Sequence, residues 1–202
     1  MAKTYIKFLE PFEKELTEKT KKKGLTITVS GFASSGKSTG ARAIAKAFKL
    51  KYAFAGKIFR EIAKERNTPL EKFSEIREDE IDYEADKKTL ELAMKGGVVL
   101  DARLSGFVAG SWADVRIFYE CPLGVRARRA AARENLSFEE AVKAVERRDI
   151  EDKKRYKKLY DIDSCDKSIY DIIIDNEKLT LEENKTIPVK LVKNFLEKKM
   201  EE

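Results

Sequence analysis

Eight residues constrain this chain more than any others: Gly31-Phe-Ala-Ser-Ser-Gly36-Lys37-Ser38. They match G-x-x-x-x-G-K-[ST]. They stand between a β-branched run, Leu25-Thr-Ile-Thr-Val-Ser30, and a segment, Lys37–Phe48, with Ala and Ile at helical spacing. A strand that feeds a glycine-rich turn into a helix makes a phosphate cradle. The glycines let successive backbone N–H groups point inward, and the helix adds the positive end of its dipole. Lys37 is placed to bridge the outer phosphates, and the Ser38 hydroxyl to ligate Mg²⁺. The candidate triphosphate-binding residues are Gly31, Ala33, Ser34, Ser35, Gly36, Lys37, Ser38 and Thr39.

Such a loop needs a sheet to carry it. Leu50–Phe54, the apolar run Val98–Asp101, Val115–Tyr119 and Tyr170–Asp175 read as four further strands. Helical patterns alternate with them. One runs over Lys57–Arg66, and charged helices fill 69–95 up to the stop at Gly96-Gly97. Pro122 opens a helix to about Glu134, and Ser137 with Glu140 three residues on is a capping-box signal for a helix reaching Tyr160. Pro188–Met200 is the last helix. The expected fold is α/β: a three-layer α/β/α arrangement around a five-stranded parallel sheet. Residues 1–24 form an extension, a short amphipathic helix through Phe8, Leu9, Phe12 and Leu16 followed by a flexible Lys19–Lys23 stretch.

Composition narrows the chemistry. The 202 residues include no histidine, so there is no Ser-His-Asp triad, no imidazole base and no His-ligated zinc. Cys121 and Cys165 lie far apart without a CxxC and are expected to be free thiols in a reducing cytoplasm. No apolar run is long enough to span a membrane, and no specific nucleic-acid motif is present. The net charge of +6 sits in two places, residues 1–23 and residues 126–158. The second holds seven of the 13 arginines, a bias that suits phosphate clamping as well as nucleic acid.

Asp101 ends a buried strand, where the acid that supports Mg²⁺ belongs, and Arg103 follows at the carboxyl edge of the sheet. There is no N-K-x-D base-reading motif, and the chain is too short for a large ATPase motor. Small size, a helical insertion after the second strand and an arginine-rich segment after the fourth point to a kinase for a small phosphorylated acceptor, with a mobile lid.

Ordered stretches make this specific. With the phosphate loop they are Ala55-Gly-Lys-Ile-Phe-Arg60, Glu80-Ile-Asp-Tyr-Glu-Ala-Asp86, Asp101-Ala-Arg-Leu-Ser-Gly106, Val125-Arg-Ala-Arg-Arg129, Arg155-Tyr-Lys-Lys-Leu-Tyr160 and Ser168-Ile-Tyr-Asp171. On them the chain resembles nucleoside monophosphate kinases, most closely archaeal-type cytidylate kinases, over roughly residues 25–180. The resemblance implies a kinase domain over 25–202, with an acceptor-binding insertion over about 56–95 and a lid over about 126–160. It implies a monomer that transfers the γ-phosphoryl group of ATP, with Mg²⁺, to CMP or dCMP. Arg60 and Arg103 then hold the acceptor phosphate. Arg148, Asp152 and Arg155, matching the lid pattern Arg-x-x-x-Asp-x-x-Arg, act with Lys37 in catalysis and also contact the acceptor. Arg126 and Arg129, at i and i+3, are the other lid candidates, with Arg129 on the ATP side. The metal ligands are Ser38 and Asp101. Lys57 replaces a usual acid, and Asp101-Ala102-Arg103 replaces Glu-Gly-Arg.

Asp82 and Asp86, four apart on one helix, are candidates to accept from a cytosine amine. Two rival readings stay open: a kinase for AMP, UMP or shikimate, and a P-loop ATP-binding regulator or nucleic-acid-binding protein. Against the second, no set of aromatic residues is interleaved with the basic ones.

Overall fold

The strand that feeds the phosphate loop occupies the centre of the sheet. In the computed structural model, which describes residues 3–66 and 79–201, β1 (Thr26–Gly31), β2 (Lys51–Phe54), β3 (Val98–Asp101), β4 (Val115–Glu120) and β5 (Ile172–Asp175) are all parallel and ordered β2-β3-β1-β4-β5. The helices are α1 (Glu10–Thr17), α2 (Lys37–Ala47), α3 (Ala55–Glu65), α4 (Asp79–Lys95), α5 (Ser105–Ala109), α6 (Leu123–Glu134), α7 (Phe138–Tyr160) and α8 (Glu183–Glu201).

β1 alternates apolar and hydroxyl side chains, yet every residue in it is buried. Ile27 and Val29 face one side and pack with Val99, Val115, Ile117 and Tyr119 against Ile44 of α2 and Val192 of α8. Thr26 and Ser30 face the other. The Thr26 hydroxyl donates to the Ala93 carbonyl (2.8 Å), and the Ser30 and Ser105 hydroxyls lie 3.1 Å apart. The polar half of the alternation is therefore a helix-covered face, not a solvent face; Thr26 and Ser30 find partners there, while the Thr28 hydroxyl is buried without one among the described residues. Leu90 and Met94 of α4, Phe107 and Val108 of α5, and Phe118 and Tyr170 form the core on that side, joined by Ile6 and Leu9 from the N-terminal extension.

The expected elements are present, with informative shifts. Of the charged segment 69–95, residues 67–78 lie outside the described residues, and the remainder contains α4. β5 starts two residues late because Tyr170 is buried in the second core and Asp171 grips Arg116 in a two-pronged ion pair (2.8 and 3.1 Å). α8 starts at Glu183, not at Pro188. Its start is set by a capping box: Thr180 Oγ1 accepts from the Glu183 N–H (3.2 Å), and the Glu183 carboxylate accepts from the Thr180 N–H (2.9 Å). Pro188 sits buried inside the helix, where it forfeits a single backbone hydrogen bond. The Ser137–Glu140 capping box forms as read. The Lys19–Lys23 stretch, expected to be flexible, is tied down: Lys22 Nζ reaches Asp114 (2.6 Å) and the Trp112 carbonyl (2.8 Å), and the Lys23 N–H donates to Lys95 O (2.8 Å).

Candidate active site

The loop after β1 turns at the carboxyl edge of the sheet, and Lys37 begins α2 there. Gly36 adopts φ +87°, and a Cβ on it would collide with the Asn176 amide, so the position requires glycine. Ser34 also stands at positive φ, at 59°. The outer side of the loop is held by side chains that bind its carbonyls rather than its N–H groups. Asn176 Nδ2 and Arg129 Nη1 donate to Ser35 O (2.7 and 3.1 Å), Asn184 Nδ2 to Gly36 O (3.0 Å), and Arg126 Nη1 to Ala33 O (3.4 Å). Arg133 reaches the Ser34 hydroxyl (3.3 Å). Thus three arginines of α6 converge on the cradle.

Lys37 Nζ lies 3.9 Å from Asp101 Oδ1. Burial lowers the lysine pKa, Asp101 opposes this, and Arg103 and Arg133 add to the lowering. Asp101 is buried at the end of β3, level with Val29 of β1 and Phe54 of β2. Tyr52 donates from its phenol to Asp101 Oδ2 (2.7 Å), with Ser38 as a further neighbour. Burial, and then Asp101, push the Tyr52 phenol far above its ordinary pKa, so it stays a donor. The donor set fits Mg²⁺ that takes its remaining ligands from nucleotide phosphates and water: one hydroxyl, Ser38, and one carboxylate, Asp101. No cluster of three or more His, Cys, Asp or Glu able to hold a metal occurs among the described residues.

Beside the cradle lies a cavity of about 260 Å³ between α3, α4 and the turn after β3. Arg103, Asp82, Asp86, Thr89, Phe59 and Tyr156 are among its lining residues. α7 closes over it. Asp152, buried, forms an ion pair with Arg103. Arg155 pairs with Asp82, Lys158 with Asp79 (2.7 Å), and Tyr160 donates to Asp86 (2.5 Å). The structure thus brings Arg103, Asp152, Arg155, Asp82 and Asp86 together. It does not bring in Arg148, which is exposed with its guanidinium 3.7 Å from Glu134 of α6. Arg60 is also exposed on α3, above the Phe54 ring at 5.2 Å, and is not among the lining residues. Lys57 pairs with Glu61 on the same outer surface (3.9 Å). Asp152 therefore neutralises an arginine from the sheet edge, and the two arginines flanking it on α7 go to other partners.

The model of the cytidylate kinase-like family matches residues 26–178. The chain belongs to the cytidylate kinase-like family. Cytidylate kinase of Pyrococcus horikoshii is 45% identical over 156 residues, covering 76% of this chain and 81% of that protein. Cytidylate kinase of Methanopyrus kandleri is 38% identical over 185 residues, covering 86% and 96%. Among solved structures, shikimate kinase from Bacteroides thetaiotaomicron superposes with a TM-score of 0.60 at 15% identity, covering 86% of this chain and 98% of that one; this is a likeness of fold.

In this family member, several residues of the site gave no signal in sequence. Asn176 and Asn184 are single polar residues whose roles depend on folding beside Ser35 and Gly36. Tyr52 looked like one aromatic of a strand. Arg126, read as a lid candidate, is buried: it pairs with Asp149 (2.7 Å), donates to Cys121 O (3.0 Å), and lies over the Phe32 ring at 5.0 Å. It braces the loop from behind. Its i, i+3 spacing with Arg129 was the available clue. Cys121 is buried and Cys165 half-buried, both as free thiols, as expected.

Proposed function

We propose that this protein catalyses ATP-dependent phosphorylation of CMP and dCMP. The observation that carries the reading is the juxtaposition of a complete phosphate cradle with a pocket containing Arg103, Asp82 and Asp86, in a chain of this family. The triphosphate of ATP lies along the loop N–H groups with Lys37 at its outer phosphates. The acceptor enters the pocket, its phosphate against Arg103 and its base toward Asp82 and Asp86. Arg60 and Arg148 complete the anion clamp only by moving inward, since both now point to the surface.

An acceptor phosphate is anionic near neutral pH and needs no protein base. One of its oxygens attacks the γ-phosphorus in line; the bond from γ-phosphorus to the bridging oxygen breaks, and ADP leaves. The protein's contribution is position and positive charge. Lys37 stabilises the transferring group, and Arg155 reaches it from α7 when it exchanges Asp82 for phosphate oxygens. Asp152 holds the Arg103 guanidinium oriented before the acceptor arrives. Ser38 and Asp101 would hold a Mg²⁺ ion brought with ATP, which would supply charge neutralisation at the phosphates. The lid α6–α7 excludes water that would otherwise take the phosphoryl group.

A coupled assay of ADP release over CMP, dCMP, UMP, AMP and shikimate tests the reading. CMP and dCMP are expected to give the highest kcat/KM. Faster turnover of AMP or shikimate would overturn it.

A further inference from the structure

We propose that the N-terminal extension, residues 3–17, is a clasp that positions the acceptor-binding helix α4, so that acceptor affinity depends on residues that never touch the acceptor. The inference rests on the pocket between α3 and α4 being the acceptor site.

The extension is a built element. The Thr4 hydroxyl donates to Val108 O (2.8 Å), the Tyr5 N–H to Phe107 O (3.0 Å), and Lys3 O accepts from the Ser111 N–H (2.7 Å). The Glu13 carboxylate, 4% exposed, accepts from the Lys3 N–H (2.8 Å), the Thr4 N–H (3.4 Å) and Trp112 Nε1 (2.6 Å). Ile6 and Leu9 are fully buried with Leu90 and Met94 of α4. This segment precedes the residues that the family model matches, 26–178.

From this anchorage one side chain reaches the acceptor half of α4. Phe8 stacks on Tyr83 with ring centroids 4.1 Å apart and planes at 28°. Lys87, one turn on from Tyr83, lies over both Phe8 (5.5 Å) and Phe12 (5.7 Å). Tyr83 in turn meets the edge of Tyr160 at 5.8 Å, and the Tyr160 phenol holds Asp86, which lines the pocket. A continuous path runs from Phe8 through Tyr83 and Tyr160 to Asp86. The C-terminal half of α4 is fixed in the core by Leu90, Ala93 and Met94. The half that carries Asp82 and Asp86 packs on α3 and α7 and against the clasp. Removing the Phe8 ring frees that half to shift, and a shift changes the pocket without changing the phosphate cradle.

Phe8 is 42% exposed, so Phe8→Ala leaves the core filled. The experiment is initial-rate kinetics on the full chain with CMP and ATP each varied, for Phe8→Ala, Phe8→Tyr and Asp86→Asn. Phe8→Ala is expected to raise KM for CMP about three- to ten-fold, the scale of one aromatic pair, with KM for ATP and kcat unchanged; Phe8→Tyr restores CMP affinity. An unchanged KM for CMP in Phe8→Ala, or an equal rise for both substrates, overturns the clasp. Asp86→Asn separates the two claims. If it raises KM for CMP while Phe8→Ala does not, the clasp fails alone. If neither variant moves it, both the clasp and the pocket assignment fall.

Discussion

Lys37 carries a charge that burial disfavours, 3.9 Å from a buried carboxylate, in a cradle that directs arginines to its carbonyl side. That combination suits a residue kept for chemistry rather than for stability. Lys37→Ala is expected to lower kcat about a hundred- to a thousand-fold or more, the loss typical of removing one preorganised charge donor. Because its charge is already opposed by burial, the melting temperature should hold or rise. A circular-dichroism melt beside the kinetic assay checks both; retained turnover would remove Lys37 from the mechanism. Asp101 and Arg103 were readable as a strand-ending acid and an edge arginine. Asn176 and Asn184 were not, because an asparagine that binds a loop carbonyl leaves no periodic or motif trace. Sequence spacing also set Arg148, Asp152 and Arg155 on one face of α7. Spacing could not say that Asp152 would answer Arg103, since that partner comes from a strand end about fifty residues away in sequence.

At the scale of elements, α6 and α7, the proposed lid, are two helices joined by a tight turn. Ala127 and Ala130 of α6 pack on Ala141 and Val145 of α7, and small side chains let the helices approach. α7 begins with a reciprocal capping box: the Ser137 hydroxyl accepts from the Glu140 N–H (3.2 Å), and the Glu140 carboxylate from the Ser137 N–H (2.9 Å). Ser137→Ala is expected to cost about 1 kcal/mol and to fray the first turn of α7, read as faster amide exchange there than in the middle of the helix. The accepted hydrogen bonds hold the Glu140 carboxyl below its ordinary pKa. Its contribution is therefore complete above the usual glutamate range, near pH ~4.3, and fades as pH falls through the lowered folded value. Protection factors in this turn, the intrinsic exchange rate at each pH divided by the observed one, should fall on acidification in the wild type, and less so in Ser137→Ala. The same signature, Thr180 with Glu183, starts α8 and lies in plain view in the sequence. Pro188 drew the expected start five residues too late. Proline's lost N–H is tolerable near a helix start, and here packing of its buried ring compensates.

Across the whole molecule, five arginines turn to the phosphate loop and the pocket: Arg126, Arg129 and Arg133 to the loop, and Arg103 and Arg155 to carboxylates at the pocket. Such arginines do not form an outward nucleic-acid face, which weighs against the rival binding-protein reading. The N-terminal lysine stretch likewise belongs to a docked element. Its linchpin, Glu13, meets three donors in a buried site, so Glu13→Gln should destabilise the fold by roughly 2 kcal/mol. That corresponds to a fall in Tm of about 4–8 °C by calorimetry. An unchanged Tm would mean that the extension contributes no stability.

The sequence by itself determined the phosphate loop, the parallel α/β class and the family. These are local matters: a strand, a glycine turn and a helix in order specify a cradle through backbone geometry, and ordered short motifs survive without knowledge of their partners. Only the tertiary structure decided which charge meets which. It set Arg103 against Asp152, Arg155 against Asp82 and Phe8 against Tyr83, and turned Arg60 and Arg148 outward. Those pairings depend on how separate elements pack across the sheet edge, and composition, periodicity and spacing along one chain do not encode that directly.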